Sequence, residues 1–267
     1  MPAATATGRA DGFGPSTDPS SVLVAEDNAV NRLVARGVLE GLGYRVVFAN
    51  NGLEAVAAMG ATPGQFAAVL MDCQMPRLDG YEATRVIRNL EPPGTRVPVI
   101  ALTGADSGEA RARCLAAGMD DFMLKPVDFA LLETVLARWI DGVIPGPAPV
   151  ESVDSSGVLD LSRVRMLKDL QTGEGSFFNT CRESFLSRVP TDLESIRSAL
   201  HDRDHQRLFA AAHALKGSAQ NLGAAEVGRL CQLLEEAAQR RDVATASELM
   251  TTLGQQVELT SAALNAA

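Results

Sequence analysis

Three carboxylates follow directly on short apolar runs: Glu26 and Asp27 after Val22 to Ala25, and Asp72 after Ala67 to Met71. Two further runs, Val97 to Leu102 and Phe122 to Leu124, end at Thr103 and Lys125. Near-continuous hydrophobicity without polar alternation is what a parallel strand covered on both faces requires. Parallel sheets gather ligands at the carboxyl ends of their strands, so these five side chains share one edge. Several anions held together call for a hard divalent cation with oxygen ligands, and Mg²⁺ is the candidate. Two acids, a nucleophilic carboxylate, a hydroxyl and a lysine around Mg²⁺ make a phosphoryl-transfer site. Metal and ammonium would neutralise charge on the transferred oxygens while Asp72 attacks in line. Any one acid at a strand end is more often a helix cap or a solvated loop residue, and a lone Lys-Pro is usually a turn. Five on successive strand ends are hard to produce as independent caps.

The second candidate is His213, in the helical pattern Ala211 to Gly223. Lys216 and Gly217 stand three and four residues on, on the same helix face as the imidazole. A histidine that a second protein must reach needs a clear approach. Glycine one turn away gives it, at roughly 1 kcal/mol of helix propensity. Lys216 can balance charge on a phosphorylated ring nitrogen. His201 and His205 lack such neighbours and read as ordinary helical histidines.

The elements that must position these groups change type along the chain. From residue 21 to 141, five apolar runs, with Arg45 to Ala49 the second, alternate with helical segments near 30–42, 52–60, 80–89, 107–117 and 128–140. This alternation implies an α/β doubly wound, five-stranded parallel sheet with right-handed crossovers. Residues 1–20, rich in small residues and proline, read as a disordered leader. Residues 142–158, with prolines at 145, 147 and 149, read as a flexible linker. Residues 159–267 keep helical spacing almost throughout, which implies an all-α four-helix bundle. Pro190 is expected to kink or split one helix and Gly223 to stop another.

A net charge of -9 argues against a nucleic-acid-binding surface. No apolar run reaches the roughly 18 residues of a bilayer span, so no membrane contact is expected of this chain. Cys73, Cys114, Cys181 and Cys231 form no C-x-x-C pair and read as reduced thiols. The expected location is the cytoplasm, in a free protein or in the cytoplasmic part of a membrane-bound one.

The set Glu26-Asp27, Asp72-Cys73-Gln74-Met75-Pro76 with Asp79-Gly80, Thr103-Gly104, and Phe122 through Lys125-Pro126 resembles the receiver domain of bacterial response regulators and hybrid sensor kinases, over residues 21–141. The resemblance implies a flavodoxin-like fold in which Asp72 is phosphorylated. It also implies that Mg²⁺ is bound by Asp27, Asp72 and the backbone carbonyl of Gln74, with Glu26 acting through water. Lys125 would grip the phosphoryl group, Thr103 would move towards it, and Phe122 would be the coupled aromatic switch, with a cis peptide before Pro126. Glu26 stands where many relatives have Asp, and Phe122 replaces Tyr, which removes a hydroxyl. Gln74 stands where side chains in this family influence access of water to the aspartyl phosphate.

The sequence H-x-x-K-G-S followed by N-L-G, with the later stretch Leu230 to Glu235, resembles histidine-containing phosphotransfer (HPt) domains over residues 159–267. That resemblance implies an exposed His213 as carrier, with Lys216 and Gly217 on the phosphotransfer surface and acids and metal supplied by a docked receiver. Together the two imply a phosphorelay protein, similar to the C-terminal part of a hybrid sensor histidine kinase. Its partners would be a sensor histidine kinase and a downstream response regulator receiver. The chain shows no ATP-binding glycine boxes, so self-phosphorylation and dephosphorylation of the receiver are the activities expected of it. Two other readings compete. A phosphatase using Asp72 usually needs an acid where Gln74 stands, and a phosphorylation-independent interaction scaffold would be free to lose at least one of Asp27, Asp72, Thr103, Lys125 and His213. Whether His213 docks on its own Asp72 is open at this point, since a flexible linker of about 15 residues spans roughly 20 Å.

Overall fold

The computed structural model describes residues 21–61, 64–104, 108–140, 142, 158–170 and 176–267. The leader assigned to 1–20, and the linker assigned to 142–158 apart from its two end residues, lie outside the described residues.

Strands β1 (Ser21–Ala25), β2 (Arg45–Ala49), β3 (Ala68–Asp72), β4 (Val99–Thr103) and β5 (Asp121–Leu124) form one parallel sheet of order β2-β1-β3-β4-β5. The inner strands β1, β3 and β4 are buried along their whole length, which explains their unbroken hydrophobicity. Helices α1 (Ala29–Gly41), α2 (Gly52–Ala61), α3 (Gly80–Leu90), α4 (Gly108–Ala117) and α5 (Phe129–Ile140) cover both faces. Successive strand residues point to opposite faces. Val22, Val24, Leu70 and Ile100 therefore pack with Val34 of α1 and Leu136 of α5, whereas Leu23, Val69 and Ala101 pack with Ala55, Ile87 and Cys114 of α2, α3 and α4.

The amino-proximal end of the sheet, away from the acids, is tied by side chains, Arg88 foremost. Arg88, in the last turn of α3, donates to the carbonyls of Gly118 (2.8 Å) and Val97 (2.9 Å) and to carboxylate oxygens of Glu91 (2.6 Å) and Asp120 (2.5 Å).

The C-terminal half is helical: a short α6 (Leu161–Asp169), then α7 (Phe177–His201), α8 (His205–Asn221), α9 (Ala225–Arg240) and α10 (Val243–Ala266). The four long helices bury Phe178, Phe185, Ile196, Leu215, Leu234 and Leu253 between them. Pro190 does not split α7, which runs unbroken for 25 residues. Proline's fixed φ is compatible with the helix, and packing of the neighbouring Phe185, Val189 and Ile196 offsets the hydrogen bond its missing N–H removes. Gly223 follows α8 as expected, with φ +81. Phe177, at the start of α7, lies over Gly37 of α1, where no Cβ stands in its way. One apolar cluster runs from the α1 side of the sheet into the bundle. Among the described residues, no helix is long and apolar enough to cross a membrane.

Candidate functional site

The strand ends bring the acids together as the spacing implied. Oxygens of Glu26, Asp27 and Asp72 lie within 4.8 Å of one another. Lys125, just past β5, reaches into the group, its Nζ 2.7 Å from Glu26 Oε2 and 2.8 Å from Asp72 Oδ2. Burial pushes the Glu26 carboxyl above the usual range, and the Asp72 charge adds to this against the pull of Lys125. Asp27 is raised too, by burial first and then by Glu26. Burial works against the Lys125 charge, yet Asp72 and Glu26 hold its ammonium above the ordinary lysine range. Three acids facing one ammonium form an oxygen-rich, net-negative cluster suited to a divalent cation.

Asp72 is 2 % exposed. Its Oδ1 accepts the backbone N–H of Gln74 (3.1 Å), while the Gln74 side chain faces solvent. Gly80 closes over the Asp72 carbonyl at a separation that leaves no room for a Cβ. Thr103 is buried at the end of β4. Phe122 is half-buried, with the Arg111 guanidinium 5.1 Å from its ring centroid. The Lys125-Pro126 peptide is cis.

His213 sits mid-way along α8 on the facing side. Its Nδ1 lies 2.8 Å from Glu235 Oε1 on α9, and the other Glu235 oxygen accepts from Lys216 Nζ. Phe209, one turn earlier, is near-parallel to the imidazole, at 11° and 6.0 Å between centroids. The expectation of an exposed His213 is corrected: its side chain is 16 % exposed, and Lys216 is buried. The receiver-like half covers this face of α8, and the Glu235 carboxylate compensates the buried ammonium. A cavity of about 1170 Å³ lies between the halves, with Asp27, Asp72 and Thr103 lining one wall and His213, Lys216 and Glu235 the other. Gln74 also lines it, Gly217 lines a smaller adjoining pocket, and Phe122 lines neither.

Residues 22–137 match the family model of the response regulator receiver domain, and residues 181–263 match that of the Hpt domain. The chain joins a receiver domain to an Hpt domain. The sensor protein GacS of Pseudomonas syringae pv. syringae is 32% identical over 235 residues, 85% of this chain and 26% of that protein. The sensor histidine kinase GacS of Pseudomonas protegens is 29% identical over 227 residues, 83% of this chain and 24% of that one. A hybrid signal transduction protein of Dictyostelium discoideum is 43% identical over 119 residues, 45% of this chain and 7% of its own length. The chain thus spans about a quarter or less of these curated relatives. Among solved structures, the receiver domain of a Pseudomonas aeruginosa sensor histidine kinase, crystallised with a magnesium ion in its active site cleft, is 44% identical. It covers 46% of this chain and 99% of its own, at a TM-score of 0.43. The co-crystal of a Saccharomyces cerevisiae histidine phosphotransfer protein with the receiver domain of its downstream response regulator matches at 28% identity, 45% and 88% coverage, and a TM-score of 0.43.

Glu235 entered the sequence reading only as the end of the Leu230 to Glu235 stretch, without a role, because nothing in the spacing of residues 213 and 235 marks them as neighbours. Only packing of α8 on α9 joins them. Asn28 and Asn31 of the receiver were likewise not singled out, although Asn28 stands where a helix cap belongs, and Ser218 and Asn221 of the Hpt domain entered only as letters of the H-x-x-K-G-S and N-L-G motif, with no contact expected of them.

Proposed function

We propose that this chain is a phosphorelay module in which the receiver accepts a phosphoryl group on Asp72 and the Hpt domain carries it on His213. The observation that carries the reading is the shared cavity, with Asp27 and Asp72 facing His213 across it, and Glu26 and Lys125 lining the smaller pocket that His213 also borders. The domains proposed are a receiver over 21–141, a linker over 142–158 and an HPt domain over 159–267. A sensor histidine kinase is the proposed donor, and a downstream response regulator receiver the proposed recipient, in the cytoplasm.

Asp27, Asp72 and the backbone carbonyl of Gln74 would hold Mg²⁺, with Glu26 contributing through water. When bound, the ion supplies charge neutralisation to the equatorial oxygens of the transferred group. An Asp72 carboxylate oxygen attacks the phosphorus of a donor phosphohistidine. The O–P bond forms as the N–P bond breaks, and the nitrogen keeps the electron pair. Lys125 offsets charge on the transferred oxygens, Thr103 closes on them, and Phe122 follows as the coupled switch. Onward transfer reverses the chemistry: the lone pair of His213 Nε2 attacks phosphorus and the electron pair of the P–O bond returns to Asp72. Glu235 holds the proton on Nδ1 and balances the positive ring, while Lys216 and Gly217 form the surface around it.

The test is phosphoryl incorporation from acetyl phosphate with Mg²⁺ into wild type, Asp72→Ala and His213→Ala, read by intact mass and by acid against base lability. Loss of all label in Asp72→Ala, and of an acid-labile, base-stable fraction in His213→Ala, is the expected pattern. Wild type that takes no label would sink the proposal.

A further inference from the structure

A chain of polar contacts runs from the acid cluster through α1 into α8. Asn28 caps α1 by accepting the N–H groups of Val30 (2.9 Å) and Asn31 (3.3 Å). Its own amide donates across the domain boundary to the Ala214 carbonyl (2.8 Å) and Ser218 Oγ (2.7 Å). Asn31 donates to Glu26 Oε1 (3.0 Å) and accepts from Asn221 Nδ2 (2.8 Å). The backbone N–H of Asn28 also donates to Glu26 Oε1 (3.1 Å). Ala214, Ser218 and Asn221 are spaced four and three residues apart, so they form one stripe of α8, beside His213 and Gly217. A Cβ at Gly217 would stand 2.8 Å from Asn31 Nδ2, and glycine there lets α1 and α8 approach.

Two further contacts flank the stripe. Phe177 fills the space over Gly37, two turns further along α1. Arg163 of α6 donates to the Val127 carbonyl (2.8 Å), stacks 4.1 Å over Phe129, and donates to the carbonyl (3.2 Å) and Oδ1 (2.9 Å) of Asn221. Asn28, Asn31, Arg163, Ser218 and Asn221 are all buried. A partner that failed to match them would leave buried polar groups unpaired, each at the desolvation cost of that group. Such a surface discriminates by penalising the wrong occupant as much as by rewarding the right one.

We propose that α1 is a latch selecting the chain's own Hpt domain, so that the phosphoryl group passes between Asp72 and His213 of one molecule. A receiver or kinase from outside reaches either residue only after the latch opens. This rests on the phosphorelay reading above. Covalent linkage supports it, since a short tether holds the domains at an effective concentration of roughly millimolar, which a free competitor must exceed. Asn28 and Asn31 each touch both Glu26 and α8, so the latch also senses the arrangement of the acid cluster.

The experiment uses the full chain as wild type, Gly37→Leu and Ser218→Arg, with circular dichroism and acetyl-phosphate labelling of Asp72 confirming that each variant is folded. Small-angle scattering reads the latch directly, and both variants are expected to be more expanded than wild type. In wild type the rate of His213 labelling should not change over about a hundredfold range of protein concentration. In both variants it should fall about tenfold or more, and stay independent of concentration below the roughly millimolar level that the remaining tether sets. Unchanged scattering and rate in both variants, or a wild-type rate proportional to concentration, would overturn the latch. If one variant misfolds the other decides. If Asp72 takes no label at all, the phosphorelay reading fails, and scattering alone judges whether the domains are latched.

Discussion

Glu235 on α9 holds His213 Nδ1 at 2.8 Å with one oxygen and accepts the Lys216 ammonium with the other, so one carboxylate orients both side chains of the phosphotransfer face. An ionised carboxylate can only accept, which makes Nδ1 the protonated nitrogen and leaves Nε2 as nucleophile. Glu235→Ala should slow labelling of His213 about tenfold or more, as expected for loss of a charge-assisted hydrogen bond. Nitrogen NMR of the imidazole separates this from a purely structural role: wild type should show the Nδ1–H tautomer and phosphorylation on Nε2, and the variant a mixture of tautomers. A wild-type phosphohistidine on Nδ1 would refute the assignment.

Lys125 is the cation that keeps Glu26 and Asp72 together in a buried site. Lys125→Met should lower the unfolding free energy by about 3 kcal/mol, because breaking a buried pair strands the remaining charges. Mg²⁺ should recover more stability in the variant than in wild type, since the cation then takes over the work of the ammonium. Urea denaturation with and without Mg²⁺ checks both points.

At Gly80 the Asp72 carbonyl occupies the space a side chain would need. Gly80→Ala should cost about 1 to 3 kcal/mol through overpacking. It should also slow labelling of Asp72, because relief of the clash moves the acceptor strand. Thermal melting and acetyl-phosphate labelling, compared with the solvent-facing Gly60→Ala, would test this.

Much of this architecture could be read from the sequence because it follows from local rules. The apolar runs before Glu26, Asp72 and Thr103 became buried strands, since burial on both faces leaves no other composition, and five strand ends on one sheet had to converge. The convergence of Asp27, Lys125 and Thr103 on one edge was legible for that reason. His213 was picked out through its own helix, because Lys216 and Gly217 lie within one turn. Glu235 was out of reach, since helix-on-helix packing is decided by side chains distant in sequence. The partial burial of His213 and the burial of Lys216 were missed for the same reason: a helix face that reads as open to solvent is closed here by another domain. Pro190 did not split its helix, because a helix anchored by Phe185 and Ile196 tolerates one absent hydrogen bond.

Asp242 caps α10 by accepting the N–H of Thr245 (3.1 Å) and its hydroxyl (2.7 Å), and these bonds hold its carboxyl below the usual aspartate range. A group lowered in the folded state stabilises fully above its unfolded value and loses that contribution as pH falls through the folded value. Asp242→Asn should therefore be less stable than wild type at neutral pH, and the gap should close in acid. Denaturation midpoints of both proteins at the two pH values would show it, and a gap that widened in acid would contradict the cap.

Cys181 is fully buried in the bundle, and burial pushes its thiol up to about 12. It should resist alkylation in the folded protein at mildly alkaline pH and react on unfolding. Mass spectrometry after iodoacetamide treatment, with and without urea, gives the answer.

Arg88 fastens the carboxyl end of α3 to the approaches of β4 and β5 with three hydrogen bonds, at the end of the sheet opposite Asp72. The sheet is thus pinned on the margin where neither the acids nor Thr103 and Lys125 stand, so a rearrangement of the reacting margin does not require this joint to break.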